Sequence, residues 1–109
     1  MWDLINAGIP HLTASEALFF EAIRVNPEKW TLDPWGNEGG GFWVIGVIGK
    51  TVIWFNDIED GFNHSLYKKY GTIGEYWCNQ DDFPFAVKLV KSLVDTGSPH
   101  ARAQPPKIP

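Results

Sequence analysis

Residues 42–65, FWVIGVIGKTVIWFNDIEDGFNHS, contain two β-rich runs joined by Gly49-Lys50 and, further on, an Asp60-Gly61 pair. A glycine opening a two-residue connection suits a type II′ turn. That turn places Trp54 opposite Ile45, Phe55 opposite Val44 and Asn56 opposite Trp43. The run from Phe42 is apolar on both faces, as in a strand covered on two sides, so it belongs inside a sheet. Asp60-Gly61 tolerates the positive φ angles of a type I′ turn and predicts a second hairpin. There Glu59 faces Phe62, Ile58 faces Asn63, Asp57 faces His64 and Phe55 faces Leu66. After the KKYG turn, TIGEYWC (72–78) is expected to supply a further strand, completing an antiparallel meander of about four strands.

Helical signals flank this core. Thr13 and Glu16 stand in capping-box spacing, and Leu18, Ala22 and Val25, with Phe19 and Ile23 beside them, form an apolar stripe that Asn26-Pro27 terminates. Residues 32–41, LDPWGNEGGG, read as loop. Near the other end, Asn79, Asp81 or Asp82 can cap a helix that accepts Pro84 in its first turn. Its stripe is Phe85, Ala86, Leu89, Val90, Leu93 and Val94; Lys88 and Lys91 face solvent, and Gly97 is the stop. The expectation is a single α+β domain over residues 1–97, with an N-terminal and a C-terminal helix packed on one face of the meander. Residues 98–109, SPHARAQPPKIP, are expected to form a mobile Pro-rich tail.

A chain of 109 residues is long enough for a core without metal or disulfide staples, and six Trp, seven Phe and three Tyr give that core a heavy aromatic load. Rings in such number are expected at the rim as well as inside. Residues 1–97 carry seven basic and thirteen acidic side chains, and the only basic residues beyond them are Arg102 and Lys107. An acidic body repels phosphate backbones, which argues against nucleic acid and for a basic protein surface or a cationic ligand. With Cys78 the single cysteine, an intramolecular disulfide and a cysteine-based zinc site are excluded. The opening MWDLINAGIPHL lacks the basic start of a signal peptide, and no apolar run approaches membrane-span length, so a cytoplasmic protein with no membrane partner is expected.

Several constellations carry possible chemistry. A calcium loop with Gly61 as its required glycine would put Ile58 and Tyr67 at ligand positions, so that match fails. Asp57, His64 and Cys78 lack a characteristic metal-ligand spacing, and no metal or cofactor is expected. A thiol near an oriented imidazole is the minimum for nucleophilic catalysis, with Cys78, His64 and either Asp57 or Glu75 as its members. A lone cysteine at a strand end is more often a small buried hydrophobe, so no catalytic residue is assigned. The glycines of GNEGGGFW (36–43) precede a strand rather than a helix and do not form a phosphate loop. Trp35, Trp43, Trp54 and Trp77, if they converge, would wall a pocket with Asn56, Glu75 and Cys78 for a cationic or stacked ligand. The simpler reading is that they cement the sheet to its helices.

GKTVIWFNDIEDGFN and GTIGEYWCNQDDF, within residues 49–83, resemble the strand-and-helix core of small bacterial accessory proteins, among them mobile gene-cassette cargo and immunity proteins of toxin systems. That resemblance implies a cytoplasmic protein that works by binding and carries over no set of functional residues. The expected function is noncatalytic docking of a basic protein partner through Asp57, Glu59, Asp60, Phe62 and His64. The alternative is a small-molecule-binding protein or small enzyme using the tryptophan pocket. A homodimer through a free sheet edge is compatible with either.

Overall fold

Four antiparallel strands lie in the order β1 (Arg24–Trp30), β2 (Phe42–Ile48), β3 (Thr51–Asn56), β4 (Gly61–Leu66), in a computed structural model that describes residues 1–96. The Gly97 stop and the expected 98–109 tail lie outside the described residues. Three helices accompany the sheet: α1 (Trp2–Gly8), α2 (Ala14–Ile23) and α3 (Phe83–Thr96). This is the expected α+β meander. Its strands differ from the expected set at both ends.

The first strand was masked in the sequence by Pro27. Proline gives no amide to a ladder, and here it sits in an edge strand, at an irregularity of the β1–β2 register between Arg24 and Glu28. At the other end, TIGEYWC forms no strand. Thr72 makes one isolated parallel bridge to Thr31 and Asp81 one antiparallel bridge to Phe62, and the chain between them is irregular. Ile73 and Tyr76, three residues apart, pack into the same cluster on one side of the sheet, which a two-residue strand repeat cannot arrange. We refer to residues 72–82 as the strap.

The two hairpins also depart from the expected registers. Gly49 takes φ +57 while Lys50 does not go positive, as a II′ connection requires, and Ile48–Thr51, Val47–Val52 and Gly46–Ile53 pair accordingly. A bulge at Ile45 then moves Trp54 opposite Val44 and Phe55 opposite Trp43. In the second hairpin β3 ends at Asn56, which pairs with Gly61, so Phe55 faces Phe62, Ile53 faces His64 and Thr51 faces Leu66. Asp57 to Asp60 are all turn, and Asp57 is therefore not across from His64. The cause is local: Asn56 Oδ1 accepts from the amides of Ile58 (3.0 Å) and Glu59 (3.1 Å), curling the chain before the ladder can continue.

Both sheet faces are covered. Toward the helices, Ile45, Ile53, Phe55 and Phe62 join Ile5, Phe20, Ile23, Phe83, Ala86, Val87 and Val90 in one cluster. Aromatic contacts run through it from Phe55 to Phe62 (5.0 Å between centroids), to Phe83 (5.6 Å) and to Phe20 (4.8 Å). The opposite cluster contains Trp30, Phe42, Val44, Val52, Trp54 and Tyr67, closed over by Leu32 from the 32–41 loop and by Ile73 and Tyr76 from the strap. The helix faces are rotated from the expected stripes. In α2 the expected capping box forms, yet Leu18 is exposed and Phe20 and Ile23 are buried. Apolar side chains surround that helix, so periodicity alone does not fix its phase. In α3 the buried set is Phe83, Ala86, Val87 and Val90, while Phe85 and Val94 are exposed. Asp82 caps it, accepting from the Phe85 amide at 2.9 Å.

A type I′ turn at Asp60-Gly61 would place both residues at positive φ; of the two, Asp60 alone adopts it, at φ 57. Glycine is needed at position 61 for space: a Cβ there would stand 2.4 Å from Gln80 Cα and 2.7 Å from the Asn79 carbonyl oxygen. Gly61→Ala is therefore expected to lose on the order of 2–3 kcal/mol in urea denaturation, the upper range for overpacking. Gly39→Ala, outside the positive-φ region and with only Lys29 Nζ near an added Cβ, at 3.6 Å, should stay within about 0.5 kcal/mol. Equal small losses would mean that the strap does not pass against β4.

Candidate functional site

The strap is fastened to the sheet largely by side chains. On β4, Ser65 Oγ donates to the Glu75 carbonyl (2.7 Å) and accepts from Trp54 Nε1 (2.9 Å). Asn63 makes a paired contact with the backbone of Asn79, accepting from its amide at 2.9 Å and donating to its carbonyl at 3.0 Å. On β3, Asn56 Nδ2 donates to the Tyr76 hydroxyl and to the Trp77 carbonyl, both at 3.1 Å. Glu75 Oε1 takes the Leu66 amide at 3.0 Å, and the Gly74 amide reaches the Leu66 carbonyl at 2.9 Å. Asn56, Asn63 and Ser65 are all buried, so these bonds satisfy groups that water does not reach.

This arrangement disperses the expected tryptophan pocket. Trp54 is fully buried against Phe42 and Tyr76 and fills the interior. Trp43 is exposed at the other face, under the Lys29 ammonium at 4.9 Å. Trp77 is half-buried and offers its carbonyl to Asn56. Asn56 and Glu75 hold backbone, as described. Cys78 is half-buried against the strap-side cluster, and His64 is buried in β4 across from Ile53. Trp35 lines a cleft beside polar side chains.

The proposed partner-binding residues also separate. Asp57 and Asp60 are exposed and Glu59 is half-exposed at the β3–β4 turn. Phe62 and His64, by contrast, are 1% and 3% exposed and support the fold from inside, because β4 begins directly after the turn. Among the described residues, no three His, Cys, Asp or Glu side chains come together in a way that could hold a metal ion.

Two concavities flank the turn. On one side, a groove of about 560 Å³ runs between α1, the start of α3 and β4. Leu4, Ala7, Phe62, Phe83 and Pro84 give it apolar walls, Asp60, Asp81 and Asp82 give it carboxylates, and His11 completes one side. Gly8 lets α1 settle there, since a Cβ on it would meet Phe83 and Pro84 side-chain atoms at 2.8 and 2.9 Å. On the other side, Trp35, Glu38, Asp57 and Ile58 line a cleft of about 450 Å³. The groove residues Asp81, Asp82 and Leu4 were not singled out from the sequence as a site; the acid pair Asp81-Asp82 was visible but read only as a helix cap. No family model matches this chain, and no curated protein or solved structure shows significant similarity to it.

Burial pushes the Asp81 carboxyl above the ordinary aspartate value of 3.8, donation from Asn79 Nδ2 opposes this, and the neighbouring Asp82 charge adds to the rise. Because the folded form then holds its proton to higher pH than the unfolded chain, this contribution to stability is present at low pH. It is lost as pH rises through the folded value. Asp81→Asn is accordingly expected to become more stable relative to the parent as pH rises across that window, and the Asp81 carboxyl carbon should titrate above 3.8 by NMR. Separately, Asn63→Ala removes both side-chain bonds to the Asn79 backbone and is expected to lose about 2–4 kcal/mol in urea denaturation. A loss under about 0.5 kcal/mol would remove the strap from its assigned role.

Proposed function

We propose that this chain is a noncatalytic docking protein that binds a basic protein partner at the end of the sheet formed by the β3–β4 turn. The observation that carries this reading is the groove whose apolar walls are lined with three carboxylates and no lysine or arginine. An apolar surface supplies affinity through burial, while surrounding carboxylates select a cationic partner and speed its approach. The charge layout supports the same orientation: Lys50 lies in the β2–β3 connection, and Lys68 and Lys69 follow the far end of β4, so these three lysines stand at the opposite end of the two strands. A partner with a positive face is drawn to one end and turned away from the other.

An immunity-type protein capping a basic toxin is the concrete form that the size and acidity support. The small-molecule alternative has less behind it, because Trp54 and Tyr76 pack the interior where a closed tryptophan pocket was sought.

The test uses a lysine-rich peptide with one central leucine, titrated into the isotopically labelled protein. Amide shifts are expected at Leu4, Ala7, Asp60 and Asp81, with affinity falling as salt shortens the screening length from about 10 Å at 0.1 M. Asp60→Asn and Asp81→Asn should each weaken binding about fivefold, the upper end for partly screened charge pairs. Salt-independent binding, or shifts confined to the Lys50 end, would refute the proposal.

A further inference from the structure

The second concavity shares the turn with the groove but offers different chemistry. Asp60 points its side of the turn to the groove, and Asp57 and Ile58 line the cleft across from it. The cleft's aromatic wall is built in advance. Trp35 stacks on Tyr76 at 4.4 Å with only 16° between the planes, and the Tyr76 hydroxyl is in turn held by Asn56. Gly36, at φ +72, brings the loop against Phe42, whose ring a Cβ would meet at 2.8 Å. Lys29 Nζ donates to the Gly39 carbonyl at 2.8 Å and fixes the far side of the same loop. The opposite wall is the turn that Asn56 Oδ1 organises through the Ile58 and Glu59 amides. Both walls are thus fixed by packing or hydrogen bonds beneath the surface, which reduces the ordering cost of binding.

We propose that this cleft is the second half of the docking surface and receives an arginine side chain of the basic partner, stacked on Trp35 and paired with Glu38 and Asp57. The inference rests on the docking reading above and adds the chemistry of one contact. A planar guanidinium matches an indole face and can meet carboxylates with two parallel N–H groups, whereas an ammonium can use the charge but not the stacking. Ile58, 56% exposed on the crest between the concavities, supplies an apolar contact that a partner straddling the turn would cover.

The experiment titrates labelled protein with a tetra-arginine peptide amide and, separately, a tetra-lysine peptide amide, following the Trp35 indole and the Asp57 and Ile58 amides alongside those of Asp81 and Asp82. At the cleft the arginine peptide is expected to bind at least about fivefold more tightly than the lysine peptide. Trp35→Leu should abolish that preference. The Glu38→Gln/Asp57→Asn pair, at exposed positions, should weaken the cleft response about tenfold while leaving shifts at Asp81 and Asp82 in place. Equal response to both peptides at Trp35, an unaltered cleft response in the double variant, or shifts only at Asp60, Asp81 and Asp82 would overturn the arginine assignment. The last result would still leave the docking reading standing. Absence of shifts at both concavities would overturn the two together.

Discussion

Three buried polar side chains, Asn56, Asn63 and Ser65, do in this fold what a further strand would do in a larger sheet. They present hydrogen-bonding groups to the irregular strap, which has no regular ladder of its own, and they match the backbone of Glu75, Trp77 and Asn79. A buried amide left without such a partner costs about 1–3 kcal/mol, so a strap docked without these side chains would carry that cost at several positions. Once docked, it buries Ile73 and Tyr76 over Val44, Val52 and Trp54. That makes the sheet's second face part of the core. Polar specificity and apolar burial are coupled: the hydrogen bonds choose the path, and the burial supplies most of the driving force.

The same network reaches the surface. Asn56 uses its amide group to hold Tyr76 and Trp77, and its oxygen to shape the turn that carries Asp57, Glu59 and Asp60. Tyr76 then supports Trp35 from below. A single side chain thereby ties the position of the acidic turn to the aromatic wall beside it. The groove on the other side depends on the end of the strap, where Asp81 bridges to Phe62 and Asp82 caps α3. Asp81 serves structure through its backbone and Asp82 through a side-chain oxygen, while both carboxylates line the groove; burial, with the Asp82 charge adding to it, raises the Asp81 pKa.

Much of the central sheet was legible because its signals are local: apolar runs of strand length around Gly49-Lys50, and a capping box at Thr13 and Glu16. Asp57 and Asp60 were likewise legible as exposed turn acids. The remainder depended on competition between signals. Asp60-Gly61 has the composition of a two-residue hairpin, but Asn56 captures the Ile58 and Glu59 amides first and ends β3 early, which moves Phe62 and His64 into the interior. Pro27 read as a stop because an edge strand, the one setting that tolerates it, is known only from the assembled sheet. TIGEYWC has strand-like residues, yet its burial follows Ile73 and Tyr76. In β4, Asn63 and Ser65 alternate with Phe62, His64 and Leu66, a pattern that puts the two polar side chains on one face. The groove and cleft each join segments far apart in the chain, so their composition could not be read from any one stretch.

Native-state hydrogen exchange across a urea series tests most directly whether the strap is an integral part of the sheet. The amides of Gly74 and Asn79, bonded to Leu66 and Asn63, are expected to open with the same free energy and urea dependence as the central amides of β3. Exchange of those two amides through a separate, low-energy opening that leaves β3 protected would contradict the account.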